Sequence, residues 1–568
     1  MRASLRQLLF TPATGLDLNF AGGVFSLNSI RTATPASIPG WSYTRTGTAT
    51  SIATALDLAG NVIQFPSRTN LTVWSRDYSN AAWLKLAGSS VTGTNIINIT
   101  SEVNSRVEQS FPAITGDTVT CSAVVSGSGQ VRLAVVDNGG SYGGTFLLIN
   151  LTATPTRYSV TRTITEAGIT SAIHRFQANV SNTAVSFTAD QSQSEIGSTA
   201  TAYIPTTTAA VTVTPPRITN RGILVEEART NSLRNSVAAG AVAGSPGTLP
   251  TNWSVFFGGT GLTRTVVGTG TINGVNYIDV RFNGTTGSTT LNLSFETSTQ
   301  VVTATSQAWT NSVFVALVSG SLSNVDAVRL SMNNYDSSVV FLSQQQGSDF
   351  KSALSSTLSR QAQTLTISSA LTARSMPYID IGYSLGVAVD FTLRLGFPQF
   401  ELGAFATSPI ITTGAAGTRG TDTVSVGSFI LPTAYTWVAD AVCPVLVSGT
   451  FPAPMGSSGV NVGFFVNGSD GGISANMGNA TFNNSSGAFT SASTFFKTAF
   501  RSQADNAKLA GNGTLGTVDT AFTSVTGART ISIGANSSSA GIWNSYVQRI
   551  RILPTALPDA QLQALTAP

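Results

Sequence analysis

The sequence predicts an all-β protein built from several sandwich or barrel modules, and three observations carry that expectation. Composition is the first: of 568 residues only 10% are charged, against about 25% in soluble globular chains, and Ser, Thr, Gly and Asn supply the missing polarity. Thr and Val favour strands, while Gly and Asn favour tight turns. The second is periodicity: Thr118 to Val125, Gln130 to Val136, Thr145 to Leu151, Val313 to Val318 and Val387 to Leu395 alternate or run apolar between turn signals, the pattern of short strands in a sandwich or barrel. The third is duplication. EIGSTATAYIPTT (Glu195 to Thr207) and ELGAFATSPIITT (Glu401 to Thr413) share Glu, Gly, Ala-Thr, Ile and Thr-Thr at identical spacing, as expected of a duplicated module.

A second echo marks where the modules begin. Arg68-Thr69-Asn70 and Arg229-Thr230-Asn231 are each followed by a Trp after an Asn or Ala. Each module thus opens with Arg-Thr-Asn and closes with Glu-x-Gly, which divides the chain into modules at 65–207 and 223–413 with linkers at 208–222 and 414–423. A third body, 424–568, carries Tyr435 to Val438, Val445 to Val447, Val460 to Val466, Thr494 to Phe500, Thr530 to Ile533 and a final strand, Tyr546 to Leu553. Strict alternation along that strand puts Tyr546, Gln548, Ile550 and Ile552 on one side and Val547, Arg549, Arg551 and Leu553 on the other. Helix is expected in two places only. Phe350, Leu354 and Leu358 predict a short helix or an irregular insertion, and LPDAQLQAL predicts a terminal amphipathic turn docked by Leu562 and Leu565, with Pro558 and Asp559 near its start.

Residues 1–64 hold alternations too short for a core of their own and are expected to lie against a neighbouring domain, another copy or another protein. MRASLRQLLFTPATG has the basic residues of a signal peptide, but its apolar run is too short. No stretch approaches the roughly 18 apolar residues of a membrane span, so no membrane insertion is expected.

The chemistry implied is that of recognition. The single histidine, His174, has no Gly-x-Ser-x-Gly elbow to accompany it, which argues against a Ser-His-Asp hydrolase. One His and two distant Cys, Cys121 and Cys443, cannot build tetrahedral zinc; both cysteines read as buried small hydrophobes. Glu195 and Glu401 recur in two scaffolds and read as structural acceptors of backbone N–H groups, and Glu226-Glu227 read the same way. Net charge is +4 with Lys and Arg dispersed, so no basic footprint for nucleic acid is expected. Asn467 and Asp470 in the Gly-rich GSDGG region are candidates to hold calcium, though a plain turn explains them as well. Sugar recognition uses exposed aromatic faces beside amides and charged hydrogen-bonding groups. On that basis Trp543 in GIWNSYVQR, with Asn544 and Arg549 nearby, is the expected glycan site. Trp437 and Tyr546 read as core, and Trp74, Trp83 and Trp253 as core plugs.

LDLNF, the Tyr43-to-Thr50 phrase YTRTGTAT, Arg-Thr-Asn-Leu followed by SRDYSNAAW (Ser75 to Trp83), Glu401 to Arg419, and the ending VQRIRILP with DAQLQAL together resemble a family of tailed-bacteriophage and prophage structural proteins, described as fibre, head-spike or carbohydrate-binding proteins. The resemblance covers almost the whole chain. It implies two jelly-roll modules like carbohydrate-binding domains, then a concanavalin-like or laminin-G-like sandwich. It further implies a non-enzymatic virion protein presenting these domains to host-surface glycan, attached to other virion proteins through its N-terminal region and self-associating, with a homotrimer expected. The alternatives are a polysaccharide-degrading spike enzyme and a purely structural collar or capsid decoration. The second module lacks the Ser-Asn-Ala-Ala-Trp phrase, and Pro409 stands where Tyr203 stands in the first, so the two jelly rolls need not share one binding function.

Overall fold

In a computed structural model the described residues are 16–27, 30–32, 38, 41–46, 52–140, 143–178, 183–457, 462–467, 469–477, 480–484, 494–536 and 541–567. Their regular secondary structure is almost entirely strand, in paired antiparallel sheets. The chain forms two compact units, Pro66–Pro215 and the remainder, Met1–Phe65 with Pro216–Pro568.

The Pro66–Pro215 unit is a two-sheet jelly roll. One sheet runs Thr156–Thr163, Thr118–Gly127, Val185–Ile196, Ile96–Ile99, Ser90–Thr92; the other runs Gly144–Asn150, Gln130–Asn138, Ser171–Ala178, Arg106–Pro112, Leu84–Leu86. Alternate residues of both sheets, among them Val107, Val119, Leu133, Phe176 and Phe187, meet in one core that Trp83 plugs. Cys121 is one of the small apolar groups in that core. Trp83 donates from its indole nitrogen to the Trp74 carbonyl at 3.1 Å.

The second unit contains two sandwiches. In the first of them the strands Ser254–Gly258, Thr290–Ser294, Arg374–Tyr383, Val325–Tyr335 and Phe341–Gln345 form one sheet, which Val301–Val302 joins at Arg374–Tyr383. The facing sheet runs Leu262–Ile272, Val275–Thr285, Ala388–Leu402, Ala308–Ser321, Ser359–Thr366. Trp253, Phe282, Phe295 and Phe391 fill the space between. Around Phe350 the chain makes only a 3₁₀ turn, Lys351–Ala353, since Phe350 and Leu354 pack individually against the core without a helical face.

Of the three neighbours expected for residues 1–64, the described strands Leu16–Asn19 and Trp41–Thr46 lie against the C-terminal sandwich of the same chain. Leu16–Asn19 pairs with Ser545–Leu553, and Trp41–Thr46 pairs with Thr421–Leu431, so described strands between Leu16 and Thr46 extend both of its sheets, while Ala53–Leu56 and Val62–Phe65 pair with each other. Leu16, Leu18 and Phe20 are fully buried in its core beside Trp437, Ile550 and Ile552. Residues 1–15 lie outside the described residues. The last strand also departs from strict alternation. Asp440 pairs with Arg549 but Ala441 with Val547, so Gln548 is the extra residue of a bulge; the face switches there, and Val547 joins Ile550 and Ile552 in the core. The chain ends in a helix, Asp559–Thr566, with Leu562 packed on Val438, Ala499 and Leu553.

Candidate functional site

The duplicated phrases prove to be one structural lock built twice. Glu195 accepts from Gln193 Nε2 at 2.9 Å, from the Thr201 N–H at 2.8 Å and from the Thr201 hydroxyl at 2.7 Å. Glu401 accepts from Gln399 Nε2 at 2.6 Å, from the Thr407 N–H at 2.9 Å and from the Thr407 hydroxyl at 2.7 Å. The amides that begin each module close the same lock. Asn70 donates to the Ser192 and Ile204 carbonyls, and Asn231 to those of Pro398 and Ile410. Both carboxylates are buried and all of these partners are intramodular, so Glu195 and Glu401 are scaffold groups, each fastening a departing strap to its last core strand. Glu226 is also structural: it is buried against Arg217, Arg419 and Ser408. Burial would raise its pKa, but Arg419 and Arg217 outweigh that and hold it at about 2.

The expected glycan site in the C-terminal sandwich does not form. Trp543 is 0% exposed; its ring centroid lies 5.5 Å from that of Phe496, and its indole N–H points to the Tyr546 carbonyl at 3.3 Å. Asn544 adopts a φ of 53°, a left-handed turn that sends the preceding Trp543 inward. The Asn544 amide is occupied too, since its Oδ1 accepts from the Glu227 N–H at 2.9 Å. Arg549 is engaged by Asp17, to which its Nε donates at 2.8 Å. Of the three predicted residues, Trp543 therefore offers no ring face to a sugar. Asn467 and Asp470 cap their own turn, accepting from the N–H groups of Ser469 at 3.0 Å and Gly472 at 2.8 Å. No cluster of three or more metal-ligating side chains occurs among the described residues.

A different site does form, on the second jelly roll, across the outer face of the sheet that holds Arg374–Tyr383. Strand alternation dictates it: Leu291, Leu293, Leu330, Ile379 and Ile381 point into the core, so Asn292, Arg329, Asn333, Tyr378 and Asp380 point out. Cross-strand register places Asn292 opposite Asp380 and Asp380 opposite Arg329. A cleft of about 600 Å³ lies over this row, within the size of small-molecule sites, which is roughly 300–1,000 Å³.

Its floor is fixed by hydrogen bonds. Asp380, 2% exposed, accepts from the Thr290 hydroxyl at 2.8 Å and from Gln346 Nε2 at 3.0 Å. With its amide oriented by these neighbours, Asn292 donates to Asp380 Oδ1 at 2.8 Å. Gln344 donates to the Tyr378 hydroxyl at 2.6 Å, which donates onward to Asn333 Oδ1 at 3.1 Å. Its edges are aromatic. Phe256 stands edge-on to Tyr378 at 5.1 Å, and Tyr335 edge-on to Phe341 at 6.1 Å. Phe257 and Phe341 are 62% and 54% exposed at opposite edges. Two bare phenyl rings flanking an amide floor form the kind of exposed apolar surface that marks an interaction site.

Sequence reasoning missed this site because its residues come from five strands between Phe256 and Asp380. The local signals were faint: the Phe256-Phe257 pair, Asn333-Asn334-Tyr335, and the Gln344-Gln345-Gln346 run.

No family model matches the chain, and no curated protein does. Among solved structures it is similar to the N-terminal CBM22-1-CBM22-2 tandem domain of Paenibacillus barcinonensis Xyn10C, at 10% identity and a TM-score of 0.22 over 63% of this chain and 100% of that one. It is also similar to Trypanosoma rangeli sialidase in complex with sialic acid, at 9% identity and a TM-score of 0.20 over 93% of this chain and 98% of that one. Similarity at this level carries no functional meaning for this chain.

Proposed function

We propose that this protein is a non-enzymatic glycan-binding protein carried on the surface of a bacteriophage particle, with the cleft of the second jelly roll as its reader. One observation carries the binding assignment: a pre-formed cleft with exposed Phe257 and Phe341 at its edges and Asn333, Gln344 and Gln346 on its floor. Pyranose rings offer C–H faces to aromatics and hydroxyls to amides, so this combination suits a saccharide. The charged groups of the floor, Arg329 and Asp380, offset one another, which favours a neutral glycan.

Binding is favoured over cleavage because glycoside hydrolysis uses two carboxylates about 5 to 10 Å apart. The residues lining this cleft include one, Asp380, and its oxygens are already hydrogen-bonded. The particle location rests on the sequence phrases shared with phage fibre and spike proteins. The same resemblance assigns attachment to other virion proteins to the N-terminal region, residues 1–64. A homotrimer is the proposed assembly, by analogy with phage fibres, which are commonly threefold.

The test is a glycan array probed with the full chain, followed by a reducing-end assay on the best hit. A neutral glycan should bind and release no new reducing ends. An array without signal would contradict the binding assignment, and new reducing ends would contradict the non-enzymatic one.

A further inference from the structure

The sheet equivalent to the cleft sheet in the Pro66–Pro215 unit can be identified without ambiguity. Glu195 sits on Val185–Ile196 as Glu401 sits on Ala388–Leu402, and in both modules the strand just before it in sequence, Ser171–Ala178 or Arg374–Tyr383, is the centre of the opposite sheet. The outer face of that sheet therefore occupies the same position as the cleft, but its chemistry differs.

Val107, Leu133 and Phe176 point into the core, so Arg106, Glu108, Arg132 and Arg175 point outward. Register aligns Arg132, Gln177 and Arg106 across three strands, with Arg175 opposite Glu108 in the adjacent row. One carboxylate serves two guanidiniums: Glu108 Oε2 lies 2.9 Å from Arg106 Nε and 2.6 Å from Arg175 Nε. The third guanidinium, Arg132, stands 4.9 Å over the Phe146 ring, and its buried Nε has no hydrogen-bond partner among the described residues. Phe146, Leu148 and Leu84 form exposed apolar edges, at 54%, 40% and 53%.

We infer that this face is a second saccharide site, selective for anionic saccharides bearing carboxylate or phosphate groups. Two independent observations converge on it: the position matches the cleft of the sister module, and the face carries three guanidiniums against one carboxylate, with Arg175 and Glu108 buried at 8% and 6% as its charged floor and Arg132 outside that ion pair. Arginine supplies planar, charge-assisted donors suited to either oxyanion, and Phe146 supplies the stacking surface beside Arg132. The inference goes beyond the cleft assignment and does not depend on it.

Titration of the full chain with a galacturonate hexamer, a glycerol-phosphate oligomer, a neutral dextran oligomer and a single-stranded oligodeoxynucleotide tests it. At least one of the two acidic saccharides should bind, more weakly as salt is raised, and the two arms separate carboxylate from phosphate. Arg132→Gln should weaken that binding about tenfold, Arg132→Lys should restore part of it, and both should leave binding at the second-module cleft unchanged. Phe146→Ala, on the exposed edge, gives a second variant should Arg132→Gln disturb folding, with a loss of at least about threefold expected. The inference is overturned if neither acidic saccharide binds, if binding survives both Arg132→Gln and Phe146→Ala, or if the oligodeoxynucleotide binds more tightly than both acidic saccharides.

Discussion

Arg329 and Asp380 face each other across adjoining strands at 3.6 Å, close enough for an ion pair and too far for a hydrogen bond. Asp380 is satisfied by Thr290, Asn292 and Gln346, so the Arg329 side chain, 30% exposed, keeps its donors turned to the cleft. Arg329→Ala should therefore cost less than about 1 kcal/mol of stability while weakening glycan affinity several-fold. Calorimetric melting together with titration separates the two effects; a large stability loss with unchanged affinity would make Arg329 purely structural.

Removing either lock carboxylate should destabilise the module that contains it. Glu401→Ala leaves the Thr407 N–H without its acceptor and takes one acceptor from the Gln399 amide, and Glu195→Ala does the same to the Thr201 N–H and the Gln193 amide. A buried donor left unsatisfied costs about 1–3 kcal/mol, so each variant should lose about 2–4 kcal/mol in chemical denaturation. Equal, near-zero losses would show that the straps hold without the locks.

The Pro66–Pro215 unit should be acid-sensitive through His174. This imidazole is fully buried among Trp83 and Phe176, and burial drives its pKa down to about 3, against an ordinary value of about 6.5. Below pH 6.5 the unfolded chain takes up a proton that the folded chain refuses, so stability falls as pH drops toward 3. Between pH 6.5 and 4.5 the unit should lose about 2 kcal/mol, and His174→Asn should flatten that slope in denaturant titrations at the two pH values.

Two core residues near the ends of the chain test its closure. Trp543→Ala should lower stability by about 3–5 kcal/mol and Leu18→Ala by about 2–5 kcal/mol, because both side chains are fully buried in the same core. Guanidinium unfolding of the full chain measures both. A silent Leu18→Ala would mean that the N-terminal strand is dispensable to the C-terminal sandwich.

What could be read from the sequence was local. The lock phrases were visible because Gln193, Glu195, Thr201 and Ile204 lie within a dozen residues and repeat as Gln399, Glu401, Thr407 and Ile410. Its remote parts were not. Arg157 bonds Ser122 in the first module as Arg360 bonds Ser312 in the second, but each pair joins separate strands and leaves no spacing to recognise. Trp543 was misread because Gly541 and Asn544 have the composition of an open loop, while the left-handed turn at Asn544 folds that loop over the core. The cleft and the arginine face share the same difficulty. Register, not sequence distance, brings Asn292 to Asp380 and Arg132 to Arg106, and a chain without a dense basic run still gathers three guanidiniums on one face.

The cleft assignment is tested most directly by titrating the best neutral glycan from the array into the wild-type chain and into a Phe257→Ala/Phe341→Ala variant. Both rings are more than half exposed, so their removal should leave the melting temperature unchanged. At roughly 1.4 kcal/mol for each lost stacking face, affinity should fall about a hundredfold. Undiminished binding by a variant that still folds would contradict the placement of the glycan site on the second jelly roll.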